Sequence, residues 1–207
     1  MTFTRIDVDE GKAREAISYF EFLGGNSDQA LSVAINKAGP KIRTKSSQAI
    51  RTDVRLKARY VNERLKFERS TRRRLAGRIS APDRGLLLSR FLTDSRMADP
   101  NKASWLKPPE IPARGLRVKV KPSGPTKTVG SPEGMSKPFL MVLPNSRRLA
   151  IVARRKNTGG IEVFHGPSLS QVFDSERKEL EPAASDELTR QLLDAMRFLL
   201  AKKFPKE

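Results

Sequence analysis

Leu75-Ala76-Gly77-Arg78-Ile79-Ser80-Ala81-Pro82-Asp83-Arg84-Gly85-Leu86-Leu87-Leu88 is where the chain changes its step. Upstream, apolar residues recur every three or four positions. Here Leu75, Gly77 and Ile79 alternate with polar neighbours. A step of two belongs to a strand and a step of 3.6 to a helix, so the change marks a passage from helices to sheet. Pro82-Asp83-Arg84-Gly85 then separates Leu75–Ile79 from Leu86-Leu87-Leu88, which predicts a hairpin-like pair.

Upstream, Glu10 to Leu23 places Ala13, Ala16, Ile17 and Phe20 on one helical face and stops at Gly24-Gly25. Asn26 is an N-cap residue, with Gln29 at the capping-box position. Leu31, Ala34, Ile35, Ala38 and Ile42 then share a face, resumed by Ala49, Ile50 and Val54. Pro40, with no amide proton, predicts a kink or a fresh helix start after Gly39. Arg55 to Phe67 reads as a further helix carrying Tyr60, Val61 and Leu65.

Downstream, residues 93–114 are rich in Pro, Asp, Asn and Lys and predict a long loop or arm around Trp105. Arg117-Val118-Lys119-Val120-Lys121 alternates as a lysine-protected edge strand. Residues 122–138 hold four prolines and three glycines, a second extended loop. Phe139–Leu143, Leu149–Arg154 and Ile161–Phe164 are strands, turned at Pro144-Asn145-Ser146 and Asn157-Thr158-Gly159-Gly160. Ser185 caps a closing helix with Asp186 and Glu187 in its first turn, Lys202 and Lys203 in its last, and Leu188, Leu192, Ala195, Met196 and Leu199 on its buried face. The fold expected is α+β: N-terminal helices, an antiparallel sheet of five to six strands, long loops and a C-terminal helix packed on the sheet. The organisation expected is a helical arm over 1–27 and one domain over 28–207.

The charge constrains partners. The chain has 41 Lys and Arg against 23 Asp and Glu, a net of +18. Residues 1–40 carry a net of −2, and residues 41–78 carry fourteen cations and three acids, a net of +11. Arg55, Lys57, Arg59, Arg64, Lys66, Arg69, Arg72, Arg73 and Arg74 form the densest run, with only Glu63 and Glu68 among them for pairing. Left unneutralised the run repels itself, so it is expected to face nucleic acid or an acidic protein. Only Tyr60 and Phe67 interleave, so any nucleic-acid contact is to phosphates and not to stacked bases. Trp105 is the candidate subunit-interface anchor, with cover for the edge of its own core as the alternative reading. No apolar run approaches the ~20 residues of a membrane span, and the N-terminus does not read as a signal peptide.

Catalytic constellations do not assemble. There is no cysteine, and His165 is the single histidine, read as a strand-end residue in Phe164-His165-Gly166. Gly124-Pro125-Thr126-Lys127-Thr128 imitates a phosphate loop but follows no buried strand. The expectation is a protein with no enzyme activity, metal or cofactor.

The order of features carries a resemblance. Ala34-Ile35-Asn36-Lys37-Ala38 is followed by a basic helical region, by Val54-Arg55-Leu56-Lys57 and Val61-Asn62-Glu63-Arg64-Leu65, and by the strand Leu75–Ile79. This resembles the phage minor tail protein Z family, also described as tail completion proteins. Gly166-Pro167-Ser168, within Phe164–Phe173, is similar to a stretch of some members placed before the closing helix. The resemblance spans residues 28–203 and leaves 1–27 and 93–114 without an inherited role. It implies a structural virion protein at the head-proximal end of the tail, made in the host cytoplasm, that joins tail to head and positions DNA for ejection. Its implied partners are the tail terminator, the tail tube and the head-tail connector. A homo-oligomeric ring is expected, with a hexamer as the working number. The rival readings are a sequence-independent nucleic-acid-binding protein of the cytosol, a head-tail adaptor or tail terminator, and a nuclease, for which metal ligands are wanting.

Overall fold

The computed structural model describes residues 18, 21, 27–93, 111 and 113–203. Of the expected 10–23 helix only Ser18 and Glu21 fall among them, both helical; Asn26, residues 94–110 and Trp105 lie outside. In chain order the elements are α1 (Ser27–Asp53), α2 (Ala58–Asn62), β1 (Lys66–Glu68), β2 (Arg78–Ser80), β3 (Gly85–Leu87) and a 3-10 turn (Leu88–Phe91). There follow β4 (Arg117–Val118), β5 (Lys127–Thr128), β6 (Phe139–Val142), β7 (Leu149–Arg154), β8 (Ile161–Val163), β9 (His165–Ser168), α3 (Leu169–Ser175) and α4 (Arg177–Lys203). The class is mixed α+β, as expected. The single sheet of five to six strands is not found. The strands divide into pairs β1-β2, β3-β9 and β4-β5 and the three-stranded β6-β7-β8.

The chain forms two compact units. One is drawn from residues 1–50, 58–83 and 170–207 and the other from 51–57 and 84–169. In the first, Ala30, Ala34 and Ala38 of α1 pack against Leu188, Leu192, Ala195 and Met196 of α4, flanked by Leu31, Val33, Ile35, Ile42 and Leu199. Alanines four apart make a shallow stripe that lets the helices approach closely. The closing helix therefore spends its apolar face on α1, and its expected seat on the sheet is corrected. Glu187 is 6% exposed and is held by Lys41 at 2.9 Å, by Arg190 and by Gln191. Burial alone raises its pKa, but Lys41, Arg190 and Gln191 outweigh burial and hold it below the ordinary carboxylate range.

Two helix boundaries differ from expectation. Helix α1 runs unbroken through Pro40. Proline in a helix interior costs about 3 kcal/mol, so the packing of α1 must outweigh that cost. Helix α4 starts at Arg177, well before Ser185, and contains Pro182. Its first turns are held by the Arg177–Glu181 pair at 2.6 Å, and its buried stripe begins at Leu180 and Ala184. The expected helix over 55–67 shrinks to Ala58–Asn62. The Arg55 amide donates to the Val120 carbonyl at 2.8 Å, and Lys66–Glu68 is a strand.

In the second unit the expected strands over 139–164 and their two turns are present, with β7 between β6 and β8. Leu149 to Ala153 of β7 are all buried, so both faces of this strand are covered. Val118 bridges to Leu92 on one side and pairs with Lys127 of β5 on the other, so β4 is not the edge strand its lysines suggested. The 122–138 segment is pinned by β5 and by the Met135–Arg155 bridge. His165 begins β9, opposite Leu87.

Candidate functional site: a basic hairpin

The predicted pairing of Leu75–Ile79 with Leu86–Leu88 does not form. Pro82-Asp83-Arg84-Gly85 does not close a turn: within the first unit, the Pro82 carbonyl and the Asp83 carboxylate accept hydrogen bonds from the Ser170 amide and hydroxyl. Instead β2 folds back on β1, with Lys66 opposite Ser80, Phe67 opposite Ile79 and Glu68 opposite Arg78. At the tip Thr71 and Arg74 exchange backbone hydrogen bonds at 2.9 and 3.0 Å, leaving Arg72-Arg73 as a two-residue loop. Residues 66–80 thus form a hairpin carrying Lys66, Arg69, Arg72, Arg73, Arg74 and Arg78 against Glu68 alone.

Helix α1 positions this hairpin with the residues of its Ala-Ile-Asn-Lys-Ala-Gly run. The Asn36 amide donates to the Ser70 carbonyl and accepts from the Ser70 N–H, each at 2.9 Å. That reciprocal pair satisfies both backbone groups of Ser70, which is 4% exposed. The Ser70 hydroxyl donates to the Arg74 carbonyl at 3.0 Å and closes the tip from beneath. The Phe67 ring sits on Gly39, where an added Cβ would lie 2.0 Å from the ring. Gly77 lies against Ile35 in the same way, its added Cβ at 2.7 Å. Ala34 and Ala38, on the adjoining face, meet α4.

The cations divide into paired and unpaired. Arg59 bonds Glu63 at 2.8 Å, a hydrogen bond that raises the Arg59 pKa further. Arg64 lies 3.9 Å from Glu63 and 3.6 Å over the Tyr60 ring, and Arg74 is 3.4 Å from Glu68. Lys66, Arg69, Arg72 and Arg73 are exposed, with no carboxylate partner among the described residues. Arg55 and Lys57, exposed too, belong to the other unit. The structure therefore gathers seven of the nine expected cations on α2, the turn that follows it and the hairpin, and adds Arg78, which the densest charge run in the sequence does not include. No group of three carboxylate or histidine side chains fit to hold a metal occurs among the described residues. None of the helices they form is long and apolar enough to cross a membrane.

The sequence matches prophage minor tail protein Z over residues 12–202. The chain belongs to the prophage minor tail protein Z family. No curated protein and no solved structure matches it. As a minor tail protein it is a structural component of a phage tail and works among other tail proteins in the virion. Family membership points to assembly and not to catalysis. In this tail protein the residues of the Ala-Ile-Asn-Lys-Ala run serve as the bed of the basic hairpin.

Proposed function

We propose that this protein works at the head-proximal end of the tail, as a homo-oligomeric ring of six. There it helps complete the tail, meets the tail terminator, tail tube and head-tail connector, and positions DNA for ejection. The carrying observation is the pinned hairpin, whose Lys66, Arg69, Arg72 and Arg73 are exposed with no carboxylate partner among the described residues, in a protein of the tail. Cations fixed on a rigid element without internal neutralisation suit a polyanion whose sequence does not matter, and the passing DNA backbone is such a partner. Cross-linking mass spectrometry of purified virions, with tails separated from capsids, tests the placement. The expected result is a small fixed copy number in the tail fraction, with cross-links to head-joining proteins. Cross-links confined to the distal tip would overturn it.

A further inference from the structure

Most of the charge lies outside the hairpin's unit. Residues 51–57 and 84–169 carry 19 Lys and Arg against six Asp and Glu, a net of +13 out of +18. Part of this charge is gathered at one end of the three-stranded sheet. The Ser136 amide donates to the Arg154 carbonyl, and the Lys156 amide to the Gly134 carbonyl, each at 2.8 Å. Phe139 faces Val152 but Met135 faces Arg155, so the 135–139 side holds one extra residue. That bulge falls around Lys137-Pro138, where Pro138 has no N–H for the ladder, and it sets Lys137 beside Arg154. Arg155 is neutralised by Glu162 at 2.8 Å, from across the sheet on β8. Its neighbours Arg154 and Lys156, and Lys137 on the bulge, are exposed and have no carboxylate partner among the described residues.

We propose that Lys137, Arg154 and Lys156 form a second contact to the phosphate backbone of duplex DNA, carried by the unit that does not hold the hairpin. The proposal rests on the DNA-facing reading above. The three cations stand on backbone fixed by the ladder. No exposed aromatic ring lies among residues 134–160 to stack on a base, so the contact is to phosphate.

The test is binding of the full chain to a short labelled duplex over a range of salt. In Lys137→Gln/Arg154→Gln/Lys156→Gln, affinity should fall by about tenfold or more. The slope of log affinity against log salt should flatten by about 2–3, since each phosphate that is no longer neutralised removes about 0.9. A control, Arg84→Gln/Arg114→Gln/Lys127→Gln, removes the same charge from exposed positions of that unit and should keep close to the original slope. A wild-type slope in the cluster variant, or equal flattening in the control, overturns the second contact. If Arg72→Ala/Arg73→Ala/Arg74→Ala still loses affinity, the hairpin reading survives that failure. A wild-type chain that does not bind the duplex overturns both.

Discussion

Asn36 spends both ends of its amide on Ser70, so Asn36→Ala leaves a buried N–H and C=O without partners. The expected cost is about 1–3 kcal/mol, read as a lower thermal midpoint. An unchanged midpoint would mean that the clamp contributes nothing. Gly39→Ala sets two effects against each other. Alanine gains about 1 kcal/mol of helix propensity over glycine. The Phe67 ring, however, occupies the place of the new Cβ, and overpacking of this kind costs about 1–3 kcal/mol. Destabilisation is expected to win, and the shorter Phe67→Leu should recover part of it, giving less-than-additive losses in a double-mutant cycle. Glu187 gives a pH prediction. Its folded pKa is lowered, so its stabilisation is complete above the unfolded value of about 4.3 and is lost as pH falls through the lower folded value. Glu187→Gln should therefore flatten the acid limb of a stability–pH curve, and an identical limb would count against the Lys41–Glu187–Arg190 arrangement. At this scale the sequence shows the residues and not their partners. Asn36 and Gly39 stand in a legible run, but Ser70 and Phe67 lie about thirty positions away, and local periodicity carries no sign of contacts at that distance.

The hairpin shows why elements were only partly legible. Phe67 has the spacing of a helix residue and Ile79 that of a strand residue, yet the two face each other. Local step cannot reveal a strand of three residues whose partner lies across a tight tip, and tertiary context decides such short segments. The β6 and β7 strands were legible because they are apolar runs between turn residues, and β8 because Ile161 and Val163 alternate with Glu162 after the Gly159-Gly160 turn. The apolar stripe of α4 was legible as well, but its partner α1 was not, since amphipathicity names a face and not what covers it. Pro40 misled because proline's cost is read locally while the packing that outweighs it is not local. A prediction at this scale concerns the tip. In Arg72→Ala/Arg73→Ala/Arg74→Ala the backbone hydrogen bonds between residues 71 and 74 remain, so circular dichroism and melting should stay near wild type. Tails are expected to form, while particles fail to retain or eject DNA. Wild-type infectivity with that variant would separate the tip from any role with DNA.

A net charge of +18 acts on the whole molecule as well as at its contacts. Along the sequence the densest excess lies in residues 41–78, but the fold cuts that segment and sends Arg51, Arg55 and Lys57 to the unit with most of the charge. Segment charge was therefore legible and surface charge was not, because Lys137 and Arg154 become neighbours only through a ladder. Repulsion among so many cations opposes compaction, and salt screens it over about 8 Å at physiological ionic strength. The isolated chain should therefore melt at a higher temperature as salt rises from low to moderate concentration. Duplex DNA added at low salt should raise the midpoint too, by binding the folded state. The two effects have opposite salt dependence: salt supports the free fold and weakens the DNA complex. Melting curves with and without duplex should consequently converge as salt increases. Curves that stay parallel would show that the added stability does not come from phosphate contacts, and a free chain whose midpoint ignores salt would show that its cations are already neutralised within the fold.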